Sequence, residues 1–296
     1  MNNVPAAEIA VFVRVAERGG FAAAAAETGL TPSGVSTAVT RLEDRLGVRL
    51  LQRTTRRLLL TPEGETMLAR GRDILAAIEA AEAEVTAARG KPKGLVRVNT
   101  GTAYAKHRLA PALPAFHAAY PEITLELSIA DRRIDVIGEQ ADVAIRTGPL
   151  ADSTLVARKL GEASRIIVAS PGYLARRGTP QEPADLAGHT CMVINGFARL
   201  SEWPLRVDGR LVPLRVDAAV ACDSADVLLD MALAGFGIAR LASFILDDAI
   251  ADGRLVPLLV AHHVSERVPV HALMPPGRQH LPRVRAFLDF LAGLKC

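Results

Sequence analysis

Residues 21–64 read FAAAAAETGLTPSGVSTAVTRLEDRLGVRLLQRTTRRLLLTPEG, and they carry the strongest structural signals of the N-terminal part of the chain. The alanine-rich run predicts a helix that stops at Gly29. A second helix restarts at Thr31-Pro32-Ser33, with threonine as the N-cap and proline in the first turn. Its apolar residues recur at helical spacing and predict one buried face: Val35, Val39, Leu42 and Leu46. Two helices joined by a short turn predict a helix-turn-helix over about residues 21–40.

The opposite face of the second helix is polar, which is the side that would face DNA. The helix N-terminus at Ser33 would point backbone N–H groups at a phosphate. A polar face is most often only solvated, but here it occurs together with the turn and a basic hairpin. We therefore expect a phosphate contact at Ser33, and base contacts in the major groove from four other residues of this face: Ser36, Thr37, Thr40 and Arg41.

A basic hairpin is predicted directly after Gly47, where the sequence reads VRLLQRTTRRLLLT. Five arginines and no acid lie between Arg45 and Arg57, so basic charge is concentrated there. The hairpin tip is expected to hold flanking phosphates or the minor groove, which sets affinity more than sequence preference. The residues assigned to this role are Arg53, Thr54, Arg56 and Arg57.

Residues 62–89 predict one long helix that begins after Thr61. Its apolar residues form a narrow stripe: Met67, Ile74, Ile78, Ala81, Val85 and Ala88. A stripe so long and narrow is not buried within one chain, so a partner helix and at least a dimer are expected. The sequence GKPKG at 90–94 breaks the helix and predicts a hinge between domains.

Beyond residue 94, strand-like and helix-like segments alternate, which predicts an α/β fold with mostly parallel strands. The predicted strands are LVRVNT (95–100), ITLELSI (123–129), DVAIRT (142–147), RIIVAS (165–170), CMVIN (191–195), LVPLRV (211–216), AAVAC (218–222), GIARLA (237–242) and LVPLLV (255–260). The predicted helices lie near 103–119, near 132–138, after Pro171, near 224–234 and near 280–294. About 200 residues of this kind typically divide into two subdomains with a cleft between them. Ligands of open α/β sheets bind where strands end and helices begin. Thr100 and Thr102 stand at such a point, and helix N–H groups there suit an anion, so a small carboxylate is the expected effector.

Other interpretations of these residues remain open at the level of sequence. Thr100 and Thr102 are also compatible with a plain helix cap. Arg146 and Thr147 follow a strand and are candidates for the same cleft, but Arg146 is equally suited to pairing with Asp142 or Asp152. Two further effector candidates lie at strand or helix ends of the second subdomain: Asn195 and Ser224.

The N-terminal stretch resembles the LysR-type transcriptional regulators, with matching residues from Phe12 to Gly64. Four later segments resemble the effector domain of that family: Tyr120-Pro121, DVAIRTGPLADSTLVARKLG (142–161), ASPGYLARRGTP (169–180) and ALAGFGIARL (232–241). The resemblance implies a winged helix-turn-helix (1–61), a linker helix (62–89) and a hinge (90–94). It also implies two Rossmann-like subdomains similar to periplasmic solute-binding proteins, one formed by 95–164 with 266–296 and the other by 165–265.

The function implied by the resemblance is sequence-specific binding of double-stranded operator DNA under control of a small-molecule effector. Self-association as a homodimer, and as a tetramer on bent DNA, is implied as well, together with contact to RNA polymerase if the regulator is an activator. No membrane partner is expected, because no uncharged apolar run of about 18 residues is present. The charged residues Glu8, Arg14, Glu17 and Arg18 leave no room for a secretory signal, so a cytoplasmic protein is expected.

Other classes of protein find less support in the sequence. No enzyme activity, cofactor or metal site is expected: Gly235-Phe236-Gly237 lacks the third glycine of a dinucleotide fingerprint, and His262-His263 lacks metal-ligand spacing. A redox sensor that uses Cys191, Cys222 or Cys296 remains an alternative, although Cys191 and Cys222 lie in apolar strands typical of structural thiols. A solute-binding protein with no DNA role would not carry residues 1–64.

Overall fold

The computed structural model of the chain describes residues 6–53, 58–86, 91–131, 141–150, 153–195 and 200–294. Within these ranges, a helical N-terminal domain with a two-stranded hairpin is followed by one long helix and by two five-stranded sheets. The predicted fold class is confirmed.

The N-terminal domain is built from α1 (Ala6–Arg18), α2 (Phe21–Thr28) and α3 (Pro32–Leu46). Phe12, Val35 and Leu42 have no exposed surface and form the centre of its core. The expectation for Leu46 was wrong, because this side chain is 42% exposed. Leu46 is the last residue of α3, where the helix has run past the apolar core.

The hairpin and the long helix follow as β1 (Leu51–Arg53), β2 (Leu58–Leu60) and α4 (Pro62–Thr86). Thr61 starts α4 as an N-cap, because its hydroxyl oxygen accepts a hydrogen bond from the N–H of Gly64 at 2.9 Å. The same hydroxyl donates to the carbonyl oxygen of Arg49 at 2.7 Å, which ties the start of α4 to the hairpin.

The first sheet has the order β4-β3-β5-β14-β6. We call this sheet and the helices packed on it subdomain I. Its strands are β3 (Gly94–Thr100), β4 (Ile123–Ile129), β5 (Val143–Thr147), β6 (Val156–Ala163) and β14 (Val268–Met274). Its helical segments are α5 (Thr102–Tyr104), a π-helical turn (Ala105–Leu109), α6 (Ala110–Ala119) and α10 (Pro282–Ala292).

The second sheet has the order β11-β8-β12-β7-β13, and with its helices it forms subdomain II. Its strands are β7 (Arg165–Ala169), β8 (Cys191–Ile194), β11 (Ala218–Cys222), β12 (Ile238–Ala242) and β13 (Val256–Pro257). The helices are α7 (Pro171–Arg177), α8 (Ala225–Leu233) and α9 (Ser243–Ala251), and a hairpin is formed by β9 (Glu202–Val207) and β10 (Arg210–Arg215).

The expectation of mostly parallel strands was wrong. In the two sheets, β3 and β8 pair in parallel with their neighbours, whereas β14 and β7 pair in antiparallel fashion with theirs. The cause is the crossing between subdomains: β6 leads into β7 of the other sheet with only Ser164 between them, and β14 later brings the chain back to the first sheet. The strand that leaves and the strand that returns run in opposite directions, so β14 is antiparallel to β6. The predicted boundary between residues 164 and 165 falls at this crossing.

Four elements were not predicted: β6, β9, β14 and α9. In β14 the sequence VPVHALM places Pro269 inside the strand, which weakens the strand pattern although β14 is paired on both sides. The helix predicted near 132–138 lies outside the described residues. No helix in the described part of the chain is long and apolar enough to cross a membrane.

Candidate DNA-binding surface and effector cleft

The polar residues predicted to contact DNA lie on the side of α3 that faces away from the core. Thr37 donates its hydroxyl hydrogen to the carbonyl oxygen of Ser33 at 2.9 Å, which leaves the hydroxyl oxygen available as an acceptor. Arg41 is exposed one helical turn further along. Of the five residues, Ser33, Thr37 and Arg41 are exposed, and Ser36 and Thr40 are half-buried.

A buried carboxylate, Glu43, joins α3 to the hairpin. Its Oε1 accepts hydrogen bonds from the backbone N–H groups of Leu50 at 2.8 Å and Leu51 at 3.1 Å, and its Oε2 accepts from Arg49 at 2.8 Å. Burial raises the pKa of Glu43, but the hydrogen bonds from Arg49, Leu50 and Leu51 outweigh it and hold the pKa below its ordinary value. Sequence reasoning missed this contact, which fixes the hairpin relative to α3.

The basic charge of the hairpin is partly offset by acids from elsewhere in the fold. Arg45 lies 3.2 Å from Glu8 of α1, and Arg49 lies 2.8 Å from Glu43. The acid-free run of sequence does not reveal these pairs, since both acids are distant along the chain or on the preceding helix. Of the predicted wing contacts, Arg53 is the last residue of β1. Thr54, Arg56 and Arg57 lie outside the described residues.

One side of α4 packs on the protein and another is exposed. Leu68 and Ala76 are buried, and Gly71 lies so close to α1 that a Cβ atom there would be 2.9 Å from Ile9. Ile74 and Ile78 are each 39% exposed. The exposed stripe continues to Ala81, whereas Met67 is half-buried, and Val85 and Ala88 fall outside the described side chains.

A buried ion-pair network links the N-terminal domain, α4 and subdomain I. Arg72 of α4 donates to Oε1 of Glu17 in α1 at 3.0 Å, and Arg97 of β3 lies 3.6 Å from the same oxygen. The backbone N–H of Arg97 donates to Asp142 at 2.9 Å, and Asp142 pairs with Arg278 at 3.2 Å. Charged groups of all three parts of the chain are therefore in direct contact.

A cavity of about 310 Å³ lies between subdomains I and II. This volume is at the lower end of the range of roughly 300–1,000 Å³ that is typical of small-molecule sites. Apolar side chains supply much of its described lining, among them Ile145, Phe244 and Leu273. The charged residues of the described lining are Asp131, Arg146, Arg165 and Asp223.

The predicted strand and helix ends meet at this cavity. Some of the predicted effector residues line it, whereas for others the lining residue is the next one along the chain. Arg146 and Thr147 line it, as do Gly101 and Ala103, the residues beside Thr100 and Thr102. Thr100 is fully buried, and no partner for its hydroxyl is found among the described residues. In subdomain II, Ile194, Asp223 and Ala225 line the cavity, and Asn195 and Ser224 lie next to them.

The start of α5 already holds a carboxylate of the chain itself. Asp131 accepts a hydrogen bond from the N–H of Thr102 at 2.8 Å. Its oxygen lies so near Gly101 that a Cβ atom there would be 3.0 Å away. An effector anion at this helix N-terminus would therefore compete with Asp131.

The guanidinium of Arg146 is hydrogen-bonded to two groups of subdomain I. It donates to Oδ1 of Asn99 at 2.6 Å and to its neighbour's carbonyl, Ile145 O, at 2.9 Å. Asp142, one of the two acids considered as its partner, binds Arg278. Asp152, the other, lies outside the described residues.

Arg165 was not predicted as a site residue, and it is the first residue of β7. Burial lowers the pKa of its guanidinium, and the charge of Glu266 partly offsets this effect. Among the described residues, its guanidinium makes no hydrogen bond or ion pair. The available signal was a basic residue directly before the apolar run IIVA, at the predicted subdomain boundary.

An ion pair, a hydrogen bond and a ring contact join the two subdomains beside the cavity. Lys106 and His107, both in the π-helical turn of subdomain I, each lie 2.9 Å from Asp226 of α8. Tyr104 packs edge-to-face against Phe244 of α9 with ring centroids 6.0 Å apart. These contacts hold the subdomains in the arrangement that encloses the cavity.

The two described cysteines are not placed to form a disulfide. In the β8–β11 pairing, Cys191 lies opposite Ala218 and Cys222 opposite Ile194, which separates the cysteines by about 10 Å along the strands. Burial raises the pKa of the Cys191 thiol to about 11, so the thiolate is scarce at neutral pH. Cys296 lies outside the described residues. In the described part of the chain, no cluster of His, Cys, Asp and Glu is placed to hold a metal ion.

A helix-turn-helix joined by one long helix to two subdomains around a ligand-sized cleft defines the class of DNA-binding transcriptional regulators with an effector domain. Residues 7–65 match the family model of the bacterial regulatory helix-turn-helix protein, lysR family. Residues 89–294 match the LysR substrate binding domain.

Individual relatives agree with both matches over nearly the whole chain. The HTH-type transcriptional regulator CrgA of Neisseria meningitidis serogroup C is 39% identical over 284 residues, 96% of this chain and 95% of the relative. The structure of CrgA, a LysR-type transcriptional regulator, matches with a TM-score of 0.66 and 38% identity over 97% of each chain. The Vibrio cholerae virulence activator AphB matches with a TM-score of 0.60 and 28% identity, over 97% of this chain and 98% of its own.

The chain belongs to the LysR family and is a LysR-type DNA-binding transcriptional regulator.

Proposed function

We propose that this regulator binds a two-fold symmetric operator in double-stranded DNA as a dimer or higher oligomer, and that a small carboxylate in the cleft controls this binding. Contact of RNA polymerase is part of the proposal if the regulator activates transcription. The observation that carries the proposal is the physical connection between the two modules, through Glu17, Arg72 and Arg97. A shift of subdomain I on effector binding would act on α1 and α4 through these contacts.

The DNA-binding part of the proposal assigns separate roles to α3 and the hairpin. Polar side chains on α3 would read base edges in the major groove: Ser36, Thr37, Thr40 and Arg41. The start of α3 at Ser33 would face a phosphate. Arg53, with Thr54, Arg56 and Arg57, would contact phosphates and provide affinity that depends strongly on salt.

Self-association is proposed to use the exposed stripe of α4. Ile74, Ile78 and Ala81 recur at i, i+4 and i+7, so one face of the helix presents apolar surface to solvent. Pairing of this stripe with a second copy would bury it and place two copies of α3 for two half-sites of DNA. A tetramer would pair two such dimers.

The effector is proposed to bind between the subdomains, where Thr147 and Arg146 line the cavity. Thr100, Thr102, Asn195 and Ser224 stay in the proposal as residues next to the lining, which would act through the backbone at the ends of their strands and helices. A carboxylate would bias how the two subdomains close.

The experiment is selection of sites from a random pool of double-stranded DNA by the full chain. We expect the wild type to enrich an inverted repeat. Arg41→Ala should lose preference at one position of each half-site, by roughly 5- to 150-fold, since a good bidentate contact contributes about 1–3 kcal/mol. Arg215→Ala, on the exposed face of β10 in subdomain II, serves as the control and should select the wild-type motif.

Two results would contradict the proposal. Absence of any enriched motif for the wild type would remove the sequence-specific function. An unchanged motif and enrichment for Arg41→Ala would show that α3 does not read the bases as assigned here.

A further inference from the structure

Two arginines lie on one face of the central strands of subdomain II. In the antiparallel β7–β12 pair, Arg165 lies opposite Ala242 and Arg240 lies opposite Ile167. Arg165 and Arg240 are therefore diagonal neighbours on the same face, a separation at which long side chains interact. Each positive charge makes the charged state of the other arginine less favourable. The charge of Arg165 accordingly contributes to the lowered pKa of Arg240.

Acidic groups balance this pair only in part. The Arg240 side chain is 2% exposed and lies 3.5 Å from Glu266, whose own side chain is 61% exposed. The Nε of Arg240 donates to Nε2 of His263 at 3.0 Å. Burial and the charge of Arg240 lower the pKa of His263 to about 4, so this histidine is a neutral acceptor near pH 7.

Arg165 carries the positive charge that the described residues leave unpaired, and it lines the cavity. A half-buried guanidinium without an acceptor is unfavourable, since the lost hydration is not replaced by a hydrogen bond. A carboxylate would supply that acceptor in bidentate geometry.

The helix N-terminus at the cleft and the second arginine of its described lining are already engaged. Asp131 accepts from the start of α5, and Arg146 donates to Asn99 and to a backbone carbonyl. The remaining charges of the described lining are the carboxylates of Asp131 and Asp223, which would repel a second anionic group. Apolar side chains such as Phe244 supply the surface for the rest of the ligand.

We propose that the cleft selects a monocarboxylate with an apolar body and that the carboxylate binds Arg165. This proposal rests on the proposed function, since it names the chemical class of the same effector. Binding at Arg165 would place the effector at the crossing between the two subdomains. Arg165 follows the crossing at Ser164, and its carbonyl oxygen accepts a hydrogen bond from Ser265 on the returning segment at 3.2 Å. A carboxylate here would offset the Arg165–Arg240 repulsion at the crossing between subdomains.

The test is titration calorimetry of the full chain with benzoate, cyclohexanecarboxylate and hexanoate, each compared with its neutral amide. We expect saturable binding of at least one acid, at least tenfold weaker binding of the matching amide, and weaker binding of the dicarboxylate isophthalate than of benzoate. Arg165→Gln should weaken binding of the acid at least tenfold. Arg165→Lys should restore part of it, and the surface control Arg215→Gln should bind as the wild type does.

The comparison of acid with amide uses only the wild type, so it remains decisive if Arg165→Gln does not fold. No saturable binding of any of the three acids overturns the proposal, as does equal binding of acid and amide. Acid binding that is unchanged in Arg165→Gln moves the carboxylate to another residue. If operator binding is retained in any of these cases, the DNA-binding function still holds. Failure of the monocarboxylate proposal is therefore distinguishable from failure of the proposed function.

Discussion

Glu43 makes the most specific prediction about the DNA-binding domain, because one buried carboxylate oxygen serves two backbone N–H groups. Glu43→Ala would leave the N–H groups of Leu50 and Leu51 without their acceptor. A buried donor left unsatisfied costs about 1–3 kcal/mol. We expect local opening of the hairpin to become about 2–4 kcal/mol easier, since water entering the vacated space would satisfy the two donors in part.

Glu43→Gln is the matched control. The amide oxygen of glutamine can still accept from both N–H groups, and only the contact with Arg49 is lost. The Arg49 side chain is 71% exposed, so we expect this loss to cost little. Because the folded-state pKa of Glu43 lies below its unfolded value, the carboxylate contributes stability above that unfolded value. This contribution disappears as the pH falls through the folded-state pKa, and Glu43→Gln should lack it.

Amide hydrogen exchange measured by mass spectrometry on a peptide that covers residues 48–53 gives a local readout. Fluorescence would not, because the one tryptophan, Trp203, lies in subdomain II. We expect exchange at the Leu50 and Leu51 amides to be roughly 30- to 700-fold faster in Glu43→Ala, and nearly unchanged in Glu43→Gln. Equal exchange in the wild type and the alanine variant would refute the assigned role of Glu43.

Three further predictions concern α4, the glycines and the thiols. Ile78→Glu should give monomers by light scattering, whereas Asp73→Lys on another face of α4 should not; an unchanged oligomer in Ile78→Glu would contradict the proposed interface. Gly64→Ala should destabilise the N-terminal domain by about 1–3 kcal/mol in thermal unfolding, because its Cβ would overlap a backbone carbonyl just before β1. Gly20→Ser meets open space and adds an N-cap to α2, so it should be neutral or slightly stabilising, and the opposite order of the two variants would show the packing argument to be wrong. Iodoacetamide should modify Cys191 near pH 7 only after unfolding, since its thiol pKa is raised to about 11; rapid modification of the native protein, followed by mass spectrometry, would revive the redox alternative.

Local sequence signals predicted the N-terminal domain well, since its elements depend on neighbours along the chain. Thr31 does cap α3 as expected, by accepting from Gly34 at 3.1 Å. Glu43 was missed because its partners at 49–51 are joined to it by tertiary folding and leave no periodic pattern. The course of β14 was missed for a related reason, since its pairing with β5 and β6 depends on strands more than 100 residues away.

The effector cleft shows where sequence reasoning reaches its limit. The predicted strand and helix ends lie at the cavity. Which side chain of each end faces the cavity depends on the alternation of the strand and the rotation of the helix, so a shift of one residue changes the result. Thr100 is thus buried where Gly101 lines the cavity. Arg165 and Asp131 could not be ranked from sequence, because the distinction between a paired and an unpaired charge lies in contacts between separate segments.

We propose that α3 reads DNA sequence while the hairpin supplies general affinity. The most direct measurement is the affinity of the full chain for its selected site and for a scrambled duplex over a series of salt concentrations. We expect a large ratio between the two affinities. Arg41→Ala should reduce this ratio without changing the salt slope, whereas Arg53→Ala should lower both affinities and flatten the slope. Equal affinity of the wild type for the selected and scrambled duplexes at every salt concentration would contradict this proposal.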